Sequence, residues 1–95
     1  MLSVDFVTTD RQVYTGEAIM VIAPSVDGQI GIMNDHEPVL SILKQGTVKI
    51  KFDEAKSDEY IVTGGFLSVN NNEVKIVADS VESDNVETKS VETKN

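Results

Sequence analysis

The chain reads as an all-β domain, a flattened β-sandwich or barrel of about eight to ten short strands with a short polar C-terminal tail. Three observations support this. Short apolar stretches alternate with polar residues at period two, turn residues recur between them, and no segment before Ala78 carries a 3.6-residue period.

The first alternation is Ser3–Thr8, in which Val4 and Phe6 are separated by Asp5. Val13-Tyr14-Thr15-Gly16 reads as a strand end and a turn. Glu17–Ala23 follows with both faces apolar: Ala18, Met20 and Ile22 on one, Ile19, Val21 and Ala23 on the other. Such a strand lies between two layers, or between its sheet and a partner. Pro24 is expected to end it. Asp27-Gly28 signals a turn and Gly31 a second permissive point. Asn34-Asp35 suits a turn or a helix cap before Pro38, and Val39–Leu43 is apolar again. After Lys44-Gln45-Gly46, Thr47–Phe52 alternates with Val48, Ile50 and Phe52 inward. Asp53–Glu59 reads as a charged connection. Tyr60–Thr63, Phe66–Val69 and Val74–Val77 are three further strands. Gly64-Gly65 permits a bend between the first two, and Asn70-Asn71-Asn72 a tight hairpin between the last two.

The tail is different. It holds the repeat N-V-E-T-K, S-V-E-T-K, and its apolar residues Val81, Val86 and Val91 match neither a strand face nor a helix face. The division is therefore a sandwich over residues 1–80 and a polar extension over 81–95, flexible or weakly helical.

Composition narrows the function. Sixteen acidic residues against eight basic give a net charge of −8. This disfavours nucleic acid and direct insertion into anionic lipid. The absence of cysteine excludes disulfides and thiolate metal sites. The longest apolar run, Ala18–Ala23, falls short of the roughly 20 residues of a membrane span, and no secretory leader is visible.

His36 is the only histidine. A metal or acid–base site would need Asp27, Asp35 or Glu37 beside it, but no ligand or triad spacing is present. Turn formation explains these residues as well. The glycines match no phosphate-binding loop. No catalytic residue, cofactor or metal is expected. Two other classes stay open: a small-ligand or carbohydrate-binding β-sandwich, which needs an aromatic platform from Phe6, Tyr14, Phe52, Tyr60 or Phe66, and a hydrolase built on His36.

Four strings, Y-T-G-E-A-I-M-V-I-A-P, D-G-Q-I-G-I-M-N-D-H-E-P-V-L-S, L-K-Q-G-T-V-K-I and G-G-F-L-S-V-N-N-N-E-V-K-I-V-A-D-S, run in order over roughly residues 3–80. Together they resemble the ε-subunit family of F-type ATP synthases. The resemblance implies a β-sandwich without chemistry of its own, part of the rotor or central stalk. It would link the γ subunit to the membrane c-subunit ring, reach the catalytic α/β hexamer indirectly, and couple ion translocation to ATP synthesis. It implies a peripheral membrane location on the cytoplasmic face of the bacterial plasma membrane or the equivalent organelle face. Carried over residue by residue, the c-ring contact falls on Asp27, Gly28 and, most directly, Gln29, where many members have Glu. The γ contacts fall on Thr8, His36 and Ser41. Asp35 stands where members usually have Gly before the histidine. Members continue as two helices that restrain ATP hydrolysis and, in some, bind ATP. This chain stops after its repetitive tail, so neither property is expected.

Overall fold

The computed structural model describes residues 1–83. They form ten strands and, among the described residues, no helix. The strands are β1 Leu2–Val7, β2 Gln12–Ala18, β3 Met20–Ser25, β4 Gly28–Met33 and β5 Val39–Leu43, then β6 Gly46–Lys51, β7 Ser57–Val62, β8 Gly65–Asn70, β9 Glu73–Ala78 and β10 Val81–Ser83. They make one curled sheet in the order β10-β7-β6-β3-β5-β8-β9-β1-β2, with β4 on the other edge of β3. All pairs are antiparallel except β1 with β9. The curl sets two halves face to face: β10-β7-β6-β3-β4 against β5-β8-β9-β1-β2.

The core is what these halves enclose. Leu2, Val4, Phe6, Leu67, Val69, Val74 and Ile76 point in from one side; Val21, Ala23, Ile32, Val48, Ile50, Tyr60 and Val62 from the other. Phe6 meets Tyr60 edge-on at 5.2 Å between ring centroids, and Tyr14 meets Phe52 at 5.3 Å. Both ring pairs bridge the halves.

Period-two alternation explains β1, β6, β8 and β9, whose inward residues are the alternating apolar ones. The segment expected as a single strand over Glu17–Ala23 is broken at Ile19, whose N–H donates to the Lys51 carbonyl at 2.8 Å. Ala18 is buried before the break, and Val21 and Ala23 after it. The inward set thus changes phase at the corner, which is why both faces looked apolar.

Pro24 does not end β3, which continues to Ser25. Its carbonyl accepts from Lys44 N–H at 2.9 Å, so its missing N–H faces the same side, where β3 passes from β6 to β5. Gly31 lies in regular strand without a positive φ, and Asn34–Pro38 forms a turn and coil without a helix cap. β7 begins at Ser57, inside the expected charged connection, because Ser57, Asp58 and Glu59 pair with Lys51, Ile50 and Lys49. Cross-strand pairing here overrides weak intrinsic propensity. Val81–Ser83 pairs with β7 as a tenth strand, while residues 84–95 of the expected tail lie outside the described residues.

The β8–β9 turn has Asn71 at φ 53° and Asn72 at φ 62°, the two positive values a type I′ hairpin needs. Gly65 has φ 135°, and a Cβ there would overlap the Val77 carbonyl oxygen and lie 2.7 Å from Ala78 Cα. Gly28 has φ 120° but open space around it. Gly65→Ala is therefore expected to cost about 3 kcal/mol or more, from overlap added to backbone strain. Gly28→Ala is expected to cost about 1 kcal/mol, from backbone strain alone. Urea denaturation of the two variants measures the difference.

Tyr14 donates its hydroxyl to the Glu17 carbonyl at 2.9 Å. Burial raises its phenol above the usual 10.0, helped by the negative charges of Asp58 and Glu17. The fold prefers the neutral phenol. That contribution is complete below pH 10 and is lost as pH rises through the folded-state value. Chemical denaturation between neutral pH and pH 11 is expected to show an alkaline loss of stability that is smaller in Tyr14→Phe.

Candidate functional site

Nearly every inward position of the sandwich is taken up by packing, so among the described residues a functional site lies on the outward rows, turns and edges. The β3–β4 turn presents Asp27, Gly28 and Gln29, all exposed. Ser25 Oγ, buried beneath them, accepts the Asp27 N–H at 3.1 Å and fixes the turn. Gln29 follows, opposite Pro24. The turn is tied to β5 through Val26 N–H, which donates to the Ile42 carbonyl at 2.9 Å.

Ser41 lies on β5 with Val39 and Leu43 on the core-side row, opposite Leu67. Its neighbours Leu40 and Ile42 face outward and are 69% and 55% exposed. Ile42 pairs directly with Phe66 on β8, itself 43% exposed, and Phe66 pairs with the half-buried Val77 on β9. Val26, 54% exposed, stands at the end of this row. Farther across the same outer face the surface turns polar. Lys75 pairs with Asp5 at 3.4 Å, and Asp5 also accepts from Gln12 Nε2 at 3.2 Å and Thr15 Oγ1 at 3.4 Å. The apolar end therefore has a hydrogen-bonded polar flank.

Thr8 follows β1, its hydroxyl donating to Asp10 Oδ1 at 2.7 Å. His36 is half-buried, with its Nδ1 2.7 Å from the Glu37 carbonyl and its N–H donating to Met33 at 3.2 Å. Asp35 beside it has φ 67°, so Asp fills a left-handed turn where glycine is the usual solution. Asn72 holds that turn: its Oδ1 accepts Asp35 N–H at 2.6 Å.

The candidate residues thus divide. Asp27, Gly28 and Gln29 come together with the β5 strand that carries Ser41. Thr8 and His36 do not meet, because Thr8 follows the Val7 end of β1 while the His36 turn is tied through Asn72 to the Ser3 end. His36 and Asp27 also sit at opposite ends of β4, so they form no acid–base pair. Among the described residues no three His, Cys, Asp or Glu side chains gather to hold a metal ion. The aromatic platform a carbohydrate needs is not assembled either: Phe6, Tyr60, Tyr14 and Phe52 pack in pairs, and Phe66 stands apart from them on the outer face.

The sequence reading missed Leu40, Ile42 and Phe66. The signal was present in V-L-S-I-L, where the two residues on the row opposite Ser41 are both apolar. A strand with apolar residues on its outward row has two faces to cover.

A family model for the β-sandwich domain of the ATP synthase delta/epsilon chain matches residues 1–84. The ATP synthase epsilon chain of Brevibacillus brevis is 42% identical over 81 residues, covering 85% of this chain and 61% of that protein. That of Lactiplantibacillus plantarum is 43% identical over 83 residues, covering 85% and 58%. The chain thus spans about three-fifths of the relatives it matches. The fold is similar to a chain of the Euglena gracilis mitochondrial ATP synthase OSCP/F1/c-ring structure, with TM-score 0.80, 20% identity and coverage of 97% and 60%. It is also similar to one in the Tetrahymena thermophila ATP synthase central stalk/c-ring structure, with TM-score 0.72, 22% identity and coverage of 84% and 64%.

Asn72→Gly keeps the backbone freedom of the hairpin and removes the bond to Asp35. It is expected to lower stability by about 1 kcal/mol and to abolish slow hydrogen exchange at the Asp35 amide, read by amide exchange with NMR detection.

Proposed function

Since the chain belongs to the ATP synthase delta/epsilon β-sandwich family, we propose that it is a non-catalytic component of the synthase rotor. In this reading it joins the γ subunit to the c-subunit ring and helps couple ion flow to ATP synthesis. It holds no reacting group of its own. It sits at the membrane surface through these partners and contacts the catalytic hexamer only through γ. The sandwich carries the docking surfaces.

One observation supports this above the others. The outward apolar row Leu40, Ile42 and Phe66 adjoins the β3–β4 turn, with 2.9 Å between Val26 N and the Ile42 carbonyl oxygen. A connecting subunit needs an apolar docking row beside a polar tip, so that two partners meet it at neighbouring places. In this assignment Leu40, Ile42 and Phe66 anchor γ with Thr8 and His36 at the rim, while Ser41, on the core-side row of the same strand, backs this surface from behind. Asp27, Gly28 and Gln29 meet the polar loops of the c ring. Large apolar anchors of this kind cost about 2 kcal/mol or more each when lost from an interface.

Leu40→Glu combined with Ile42→Glu is expected to leave the melting temperature nearly unchanged, since both side chains already face solvent. Co-purification with γ and the c ring from detergent-solubilised membranes should fall at least about thirtyfold. Gln29→Arg should weaken retention on the c ring while leaving binding to γ alone intact. Undiminished co-purification of the Leu40/Ile42 variant would remove the docking assignment.

A further inference from the structure

The edges of the two halves are treated unequally. β2 ends one half, carries Glu17, and its pairing with β1 shifts register between Phe6 and Val7. β10 is three residues long and also shifts register against β7. The end of β5 is engaged by Pro24–Val26. These are ordinary ways of blunting an edge. β4 uses none of them. It is six residues long, Gly-Gln-Ile-Gly-Ile-Met, with no charge and no proline. It pairs with β3 at every residue without a register shift and, among the described residues, pairs with nothing on its other side. Gly31 leaves the centre of its outward row open, and Met33 at its end is 57% exposed.

The ends of β4 restrict what can pair with it. Asp27 precedes the strand, and Asp35 and Glu37 follow it, all three exposed. A second copy pairing antiparallel through the same strand would bring Asp27 of one against Asp35 and Glu37 of the other, twice over. The net charge of −8 adds to this repulsion. An incoming strand with Lys or Arg at both ends meets the opposite situation.

We propose that the free edge of β4 receives an extended segment of a partner protein, apolar at its centre and basic at both ends, as an added strand. Main-chain hydrogen bonds to β4 supply the binding, the gap over Gly31 admits a side chain, and the acidic ends select the partner and its register. The edge is separate from the outward row of β5 and β8, so the proposal stands whether or not that row docks γ. It shares Asp27, Gly28 and Gln29 with the turn assigned to the c ring, so the two occupants exclude each other at that end.

The test uses the full chain and two synthetic peptides, Lys-Val-Thr-Val-Thr-Val-Lys and the same peptide with Glu at both ends, each with blocked termini. Titration followed by NMR and amide exchange is expected to protect alternate β4 amides within Gly28–Met33. The Lys-ended peptide should bind about tenfold more tightly, and the difference should shrink in 1 M salt. Gly31→Lys should abolish binding; the Cβ it adds has Met20 Cε at 3.6 Å as its nearest neighbour, so the fold has room for it. Four results would overturn the proposal: no added protection, at millimolar peptide, of the β4 amides that point away from β3, equal binding of the two peptides, those same outward amides already protected in the free monomer, or a dimer of this chain joined through β4.

Discussion

The constraint on which this structure depends is that ten short strands, each apolar mainly on one face, must curl until that face is covered by the other half of the same sheet. Two places make the curl possible. At Ile19 the chain turns a corner and the inward phase changes, from Ala18 to Val21 and Ala23. At Pro24–Val26 the end of β3 meets the end of β5, with bonds on both sides of the Ser25–Leu43 pair. The tight fit of Gly46 against Pro24, where a Cβ would lie 2.8 Å from Pro24 Cβ, marks how close the turn is. Past Ile19 both rows of β3 are apolar, Met20 and Ile22 on one and Val21 and Ala23 on the other, so it is the corner that decides which row faces in.

That closure also decides where function can reside. The core takes nearly every inward side chain, and four of the five aromatic residues pack against one another across the halves. Among the described residues, what remains for recognition is outward: an apolar row on β5 and β8, a polar turn between β3 and β4, and a bare edge on β4. Recognition at such places depends on shape and on strand pairing. The reading as a connecting subunit follows from that distribution together with family membership.

Much of the fold was legible where local chemistry and global packing agree. Val48 and Ile50 in β6, and Val74 and Ile76 in β9, alternate as a half-buried strand must. Asn71 and Asn72 supply the positive φ values that a two-residue hairpin needs. What was not legible depends on partners distant in sequence. Ser57–Glu59 is polar by composition and becomes strand only because β6 lies beside it. Val81–Ser83 is too short to declare itself and is held by β7. The candidate site was legible in the same uneven way. Asp27-Gly28 was legible as a turn and Gln29 entered through the resemblance, but the row of Leu40, Ile42 and Phe66 emerges only when β8 is placed next to β5. The resemblance pointed to Ser41, the one polar residue of that strand, and the exposed apolar residues on either side of it were passed over.

The most direct measurement of the central claim is site-specific photo-crosslinking in the assembled membrane complex, with p-benzoylphenylalanine placed at position 42, 29 or 54. The account predicts that the probe at Ile42 crosslinks to γ, that the probe at Gln29 crosslinks to the c subunit, and that the probe at Glu54, in the exposed β6–β7 connection, yields neither product. Crosslinks to γ and c from position 54, with none from 42 or 29, would contradict it.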